Sequence, residues 1–276
     1  MSTQAVLFDA PGPKARVRHR ILTGVGALIA IAIAYVVYLK FDEAGQLKAS
    51  MWKPFVTDPA VWTSYLIPGL RGTFMAAGIS IVLAVIFGLL FGMGRLSPIG
   101  PVRWFCGVIV EFFRAVPVLL MMVFAYFGYF ATSNLVPNVH APLAAVVTAL
   151  TLYNGAVIAE LVRSGVHGLP KGQSEAGLAV GLTPGQVLRS IQLPQALTAM
   201  LPALVGQLVV VLKDSALGYG ITYLELLTWS KTLGSAYANT VPAYIVAGIL
   251  FVIINYTLTK LAVYLEGRLK KRRAKN

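Results

Sequence analysis

A 276-residue chain that is 57% hydrophobic and only 12% charged has too little polar surface for a soluble globular domain, so a polytopic membrane protein is expected. Its net charge of +13 is placed in a way that argues against nucleic acid as a partner. Ten of the 23 basic residues flank the outermost apolar runs: Lys14, Arg16, Arg18 and Arg20 before the first, and Arg268, Lys270, Lys271, Arg272, Arg273 and Lys275 after the last. That is the positive-inside pattern, and it also favours anionic lipid headgroups.

A spanning helix needs about 20 mostly apolar residues, and six runs qualify. After a basic N-terminus (1–20), Ile21–Leu39 is the first span. Lys40, Phe41, Asp42 and Glu43 follow it rather than a small-residue cleavage pattern, so it reads as retained. Residues 40–64 form an outward linker, and Leu70–Gly94 is the second span. Trp104–Phe130 is the third; it carries Glu111 and Arg114, and Cys106 near its start reads as a small packing residue. Ala141–Leu161, with Glu160, is the fourth. Gln195–Leu217 is the fifth, with Lys213 and Asp214 near its far end, and Pro202 and Gly206 as places where it can kink. Ala243–Tyr264 is the sixth, followed by a basic tail (266–276). The expected fold is therefore all-α, with six spans and both termini cytoplasmic.

The loops agree with that orientation. Arg95 and Arg103 mark the turn between spans two and three as cytoplasmic, as Arg163, Lys171 and Arg189 mark the long loop between spans four and five. The outward loop after span five contains Tyr223, Glu225, Leu226, Leu227 and Trp229, which suit a short interfacial helix. A lone cysteine excludes an intrachain disulfide, and His19, His140 and His167 lack ligand spacing, so no metal site is expected. The chain has no GxxxxGK[ST] loop. It takes no cofactor of its own in this reading, and any energy coupling must come from a partner.

Between Glu175 and Pro194 the chain reads EAGLAVGLTPGQVLRSIQLP. Glu175, Ala176, Gly177, Gly181, Ile191, Leu193 and Pro194 fall at the spacing EAA-x3-G-x9-I-x-LP, and the stretch (171–194) resembles the EAA loop of membrane subunits of ABC importers. The departure is Gly177 where the triplet has Ala, which lowers helix propensity by roughly 1 kcal/mol. The resemblance implies two short cytoplasmic helices that dock on an ABC ATPase subunit. Lys171, Gln173, Glu175, Ala176, Gly177, Gly181, Thr183 and Leu193 are the expected coupling residues. Glu175 is the charged contact, Gly181 the turn, and Thr183 the cap of the second helix, with Pro184 at its first position.

Further stretches resemble the polar amino-acid branch of these permeases: Val110–Pro117, Tyr153, Ala159-Glu160, Arg163, Leu169–Gln173, Leu193–Ala196, Leu201-Pro202 and Lys213–Ser215, with Gly69-Leu70 and Thr73 at the start of the second span. Ala115-Val116 departs from the Gly-Thr of that pattern. The resemblance covers about residues 65–265, a five-helix core to which Ile21–Leu39 is an addition. It implies a second permease subunit, identical or related, and an external binding protein that delivers the amino acid. Over its whole length the chain looks most like glutamate permeases.

Charges inside spans are costly, so each needs a reason. At 1.5 Å per residue, Arg114 and Asn154 are expected near the midplane on consecutive helices. For Arg114, packing against Glu111 three residues away and contact with a substrate carboxylate both stand. Asn154 is open in the same way. Lys213, Asp214 and Ser215 read as structural or gating residues of the pathway. Arg71, at the outer mouth, either snorkels to headgroups or attracts an anion. The expected substrate is an acidic amino acid, glutamate first. Glutamine or arginine is the alternative, and an ion-coupled secondary transporter or a non-transporting scaffold is a rival function.

Overall fold

The computed structural model describes residues 12–133 and 135–273. Residues 1–11 of the basic N-terminus and Lys275 lie outside them. The described residues are helical throughout, without strands, and the chain divides by its contacts into Met1–Pro54 and Phe55–Asn276.

The first unit is dominated by α1 (Pro13–Glu43), which starts with Pro13 in its first turn, where a missing N–H costs nothing. None of its residues is buried. It ends in a left-handed turn at Gly45 (φ 67°), with the Gln46 N–H donating to the Phe41 carbonyl and Gly45 to that of Asp42, a hydrogen-bonded stop. The short α2 (Ala49–Trp52) follows, and the boundary between the units falls after the first residue of α3 (Pro54–Thr57).

In the second unit a π-turn at Val61–Leu66 leads without a break into α4 (Ile67–Arg95). Gly69, Gly72, Thr73, Ala76, Ala77, Ser80, Ala84, Gly88 and Gly92 make a small-residue stripe that is buried along α4. Its lower half lies on α7 (Ala141–His167), closely enough that a Cβ on Gly88 would come within 2.4 Å of Ile158. Small residues allow this approach in a membrane, where packing rather than water drives helices together. Between these two helices in sequence come α5 (Gly100–Ala115) and α6 (Val118–Ala125), the latter continued by a π-turn to Phe130.

The third span, expected to run unbroken over Trp104–Phe130, is bent by 98° between α5 and α6. Pro117 has no N–H to give and forces the residue before it out of the helix region; Val116 is extended at φ −84°, ψ 127°. The fifth span is also interrupted. α8 (Gly172–Ala179) and α9 (Pro184–Val187) form the loop after α7, and a π-turn (Leu188–Gln192) leads to α10 (Leu193–Ala199). The chain breaks at Met200 before α11 (Leu201–Asp214), which has Pro202 in its first turn, and tightens to a 3₁₀ helix over Ser215–Ile221. α12 (Leu226–Ala236) is the short helix expected after the fifth span, packed against α4 and α13 (Thr240–Arg273). Among the described residues five helices are long and apolar enough to cross a membrane, and the bent α5–α6 pair makes a sixth.

Candidate functional site

The α8–α9 loop is built from local signals. Thr183 caps α9 by accepting the Gln186 N–H at 3.4 Å, and the Gln186 side chain accepts the Thr183 N–H at 2.8 Å, a reciprocal capping box. Gly181 takes φ 86°, a conformation most residues resist. Gly177 is buried where the two helices cross: a Cβ there would meet Val187 Cγ2 at 2.8 Å and Ile191 Cδ1 at 2.9 Å. Lys171, just before α8, and Glu175 and Ala176 on it are exposed, with Glu175 in the first turn, where the helix dipole favours an acid. Gln173 accepts a hydrogen bond from Gln195 at 3.1 Å, tying α8 to α10 beside the half-buried Leu193. Leu178 and Val180 are exposed apolar residues on the same loop that the motif did not flag. Behind it lies a cavity of 580 Å³ lined by Arg95, Arg103, Lys171, Ser174, Glu175 and Leu188, among others.

A charge network closes the adjoining end of the bundle. Arg95, the last residue of α4, donates to Glu160 at 2.7 Å and to Glu111 at 2.8 Å. Arg163 donates to Glu160 at 2.6 Å, as its three-residue spacing predicts. Arg114 is held more loosely, 3.4 Å from Glu111 and 3.6 Å from Glu160. The pairing of Glu111 with Arg114 that their spacing allows is thus present but long, and Arg95, which sequence reasoning used only for topology, bridges to Glu111 at the shorter distance. Arg114 lines two adjoining cavities of 390 and 410 Å³, shared with Tyr153 and Val157; Gln207 and Asp214 line the first, Glu111 and Glu160 the second.

Arg114 lines the 390 Å³ cavity together with Tyr153, Val157 and Gln207, the last of which hydrogen-bonds Asn154, and its guanidinium also lies 3.6 Å from Glu160. Asn154 is fully buried. It donates to the Leu150 carbonyl at 3.0 Å and accepts from Gln207 Nε2 at 2.6 Å, a partner that sequence spacing could not supply. Ser215 is buried and donates to the Leu212 carbonyl at 2.7 Å; Asp214 is half-buried, and Lys213 is exposed. Arg71 is exposed near the start of α4. Beside it, the Tyr223 hydroxyl donates to the Gly72 carbonyl at 2.8 Å and Thr73 accepts the Leu226 N–H at 3.1 Å, fastening the start of α12 to α4. Glu225 is buried as the cap of α12, accepting the N–H groups of Leu227 and Thr228 at 2.7 Å each.

Residues 60–271 match the family described as binding-protein-dependent transport system inner membrane component. The chain belongs to this family. The match takes in α4 to α13 and leaves α1 outside. The chain is 48% identical over 231 residues to the glutamate transport system permease protein GluD of Corynebacterium glutamicum, covering 84% of each protein. It is 29% identical over 208 residues to the glutamate/aspartate import permease protein GltK of Escherichia coli O6:H1, covering 74% of this chain and 93% of that one. A crystal structure of an amino acid ABC transporter with histidines superposes with a TM-score of 0.68 at 27% identity, over 75% of this chain and 95% of that one. The family core and the multi-pass membrane architecture thus agree with the reading of the sequence.

Proposed function

We propose that this family member is one of two permease subunits in an ATP-driven importer of an acidic amino acid, glutamate first. The observation that carries the substrate is the 48% identity to a glutamate permease over 84% of both chains. An external binding protein delivers the substrate, and Arg114, Asp214 and Gln207 border the path it takes. Two ATPase subunits grip the α8–α9 loops, which is supported by the exposed Glu175, Leu178 and Val180 around a rigid, capped turn. Closure of the ATPases on ATP draws the loops together and switches the paired bundles between inward- and outward-facing states. The chain itself holds no cofactor and hydrolyses nothing. Both termini are cytoplasmic, and α1 is an added anchor.

Uptake of labelled glutamate, aspartate, glutamine and arginine by the complex purified through this subunit and reconstituted in proteoliposomes tests the proposal. Glutamate should be preferred and uptake should need ATP. Preference for arginine overturns the substrate, and uptake by a subunit that purifies without an ATPase overturns the coupling. Reporters after Asn276 and near Gly172 should read cytoplasm, and one near Gly45 the exterior.

A further inference from the structure

We propose that Arg95 is a specificity-determining positioning residue: it holds Glu111 and Glu160 on itself, so that the Arg114 guanidinium, bound to Glu111 only by long bonds from Nη1, keeps its other donors for an anionic substrate. The inference rests on reading the chain as an acidic amino-acid importer. Arg95, Arg114 and Arg163 face Glu111 and Glu160, which leaves one net positive charge in the network. The distances say where that charge is left. Charge-assisted bonds from guanidinium to carboxylate fall near 2.7–2.9 Å. Arg95 makes one such bond to each acid, at 2.8 and 2.7 Å, and Arg163 makes one at 2.6 Å. Arg114 reaches Glu111 only through Nη1, by long hydrogen bonds of 3.4 and 3.5 Å, and stands 3.6 Å from Glu160, all beyond that range. The surplus charge therefore sits on Arg114, which is also the arginine that lines the two cavities beside Tyr153 and Val157.

Arg95 borders neither of those cavities, and its side chain is only 12% exposed, so it acts through the acids and not on the substrate. Its planar fork can serve two carboxylates at once, which the point charge of a lysine cannot do as well. Without Arg95, Glu111 has Arg114 as its remaining partner, three residues away on α5, and the network becomes neutral. A same-helix pair at that spacing closes readily. The cavity then presents an ion pair in place of a cation.

The test is the ratio of glutamate to glutamine uptake by reconstituted complexes with the same binding protein. Arg95→Gln should lower the ratio roughly tenfold, the size of losing one charge-assisted hydrogen bond to the substrate side chain. Arg95→Gln combined with Glu111→Gln restores the net charge and should restore the ratio. A merely structural clamp predicts the opposite, because the second substitution removes a further contact. Glu111→Gln alone, which leaves Arg95 on Glu160, should keep or raise the ratio, and this variant decides the matter if Arg95→Gln fails to assemble. An unchanged ratio in Arg95→Gln, no recovery in the double variant, or a fall in Glu111→Gln overturns the inference while leaving a glutamate-preferring wild type in place. A wild type that prefers arginine overturns the importer assignment and this inference with it.

Discussion

Gly177→Ala restores the residue of the family triplet, and the structure predicts that it weakens the loop. Helix propensity favours Ala by up to about 1 kcal/mol. Against this, the new methyl would lie 2.8 Å from Val187 Cγ2 and 2.9 Å from Ile191 Cδ1. Ile191 can turn its terminal methyl away, but a β-branched valine is stiff at χ1, and Val187 is 1% exposed with no space to retreat. The helices must separate by roughly half an ångström, in a packing that tolerates little change of volume. Overpacking of this kind costs about 1–3 kcal/mol, so the balance is a loss of about 1 kcal/mol. Exchange of the amide hydrogens of α8 and α9 should then quicken about fivefold, and less ATPase should be retained on purification. Val187→Ala in the same chain removes the obstructing methyls and should bring exchange back toward that of the wild type, a favourable coupling between the two sites. Slower exchange in Gly177→Ala, or strictly additive effects in the pair, would refute the packing argument.

Three further outcomes are expected. Asn154→Leu leaves the Gln207 amide without its 2.6 Å partner and should cost about 1–3 kcal/mol in a thermal-unfolding assay; the pair Asn154→Leu and Gln207→Leu should recover part of it, and equal losses would speak against a shared bond. Tyr237→Phe removes the hydroxyl that donates to Asp58 at 2.5 Å, a bond that, with the Ala60 N–H, holds the Asp58 carboxyl below its ordinary 3.8 and pushes Tyr237 up to about 12. The depressed acid contributes stability above pH 3.8 that is lost as pH falls through its folded value, and the raised tyrosine contributes stability below pH 10.0 that is lost as pH rises through about 12. The melting difference between wild type and Tyr237→Phe should therefore be full at neutral pH and close at both extremes; a difference independent of pH would contradict it. Glu175→Lys and Gly181→Val should leave the protein in the membrane but lower ATP-driven uptake, the first through a lost charge contact and the second through strain at φ 86°, and normal uptake by both would remove the coupling assignment.

What the sequence makes legible here is whatever chemistry acts over a few residues. The apolar runs locate the spans, Thr183 with Gln186 locates a cap, and Glu160 finds Arg163 because one helical turn separates them. The signal for the bend was also local. Pro117 stands in the middle of the third run, but hydropathy does not change there, and a run judged by hydropathy alone reads as one straight helix. The break follows Arg114 directly: Arg114 lies in the last turn of α5, two residues before the extended Val116, and its guanidinium lies against Glu160 of α7.

The remaining site depends on partners that no spacing reveals. Arg95 lies 16 residues from Glu111 and 65 from Glu160, and Asn154 lies 53 from Gln207. Arg95 and its two acids meet because glycine and alanine let α4, α5 and α7 approach closely: a Cβ on Gly92 would come 3.0 Å from the Ala159 carbonyl, and one on Gly94 would run into Cys106. The small residues thus do more than pack. By bringing the end of α4 within reach of acids on two other helices, they decide which arginine is held closely and which is left to face the cavities, so that a stripe that carries no charge itself sets the charge beside them.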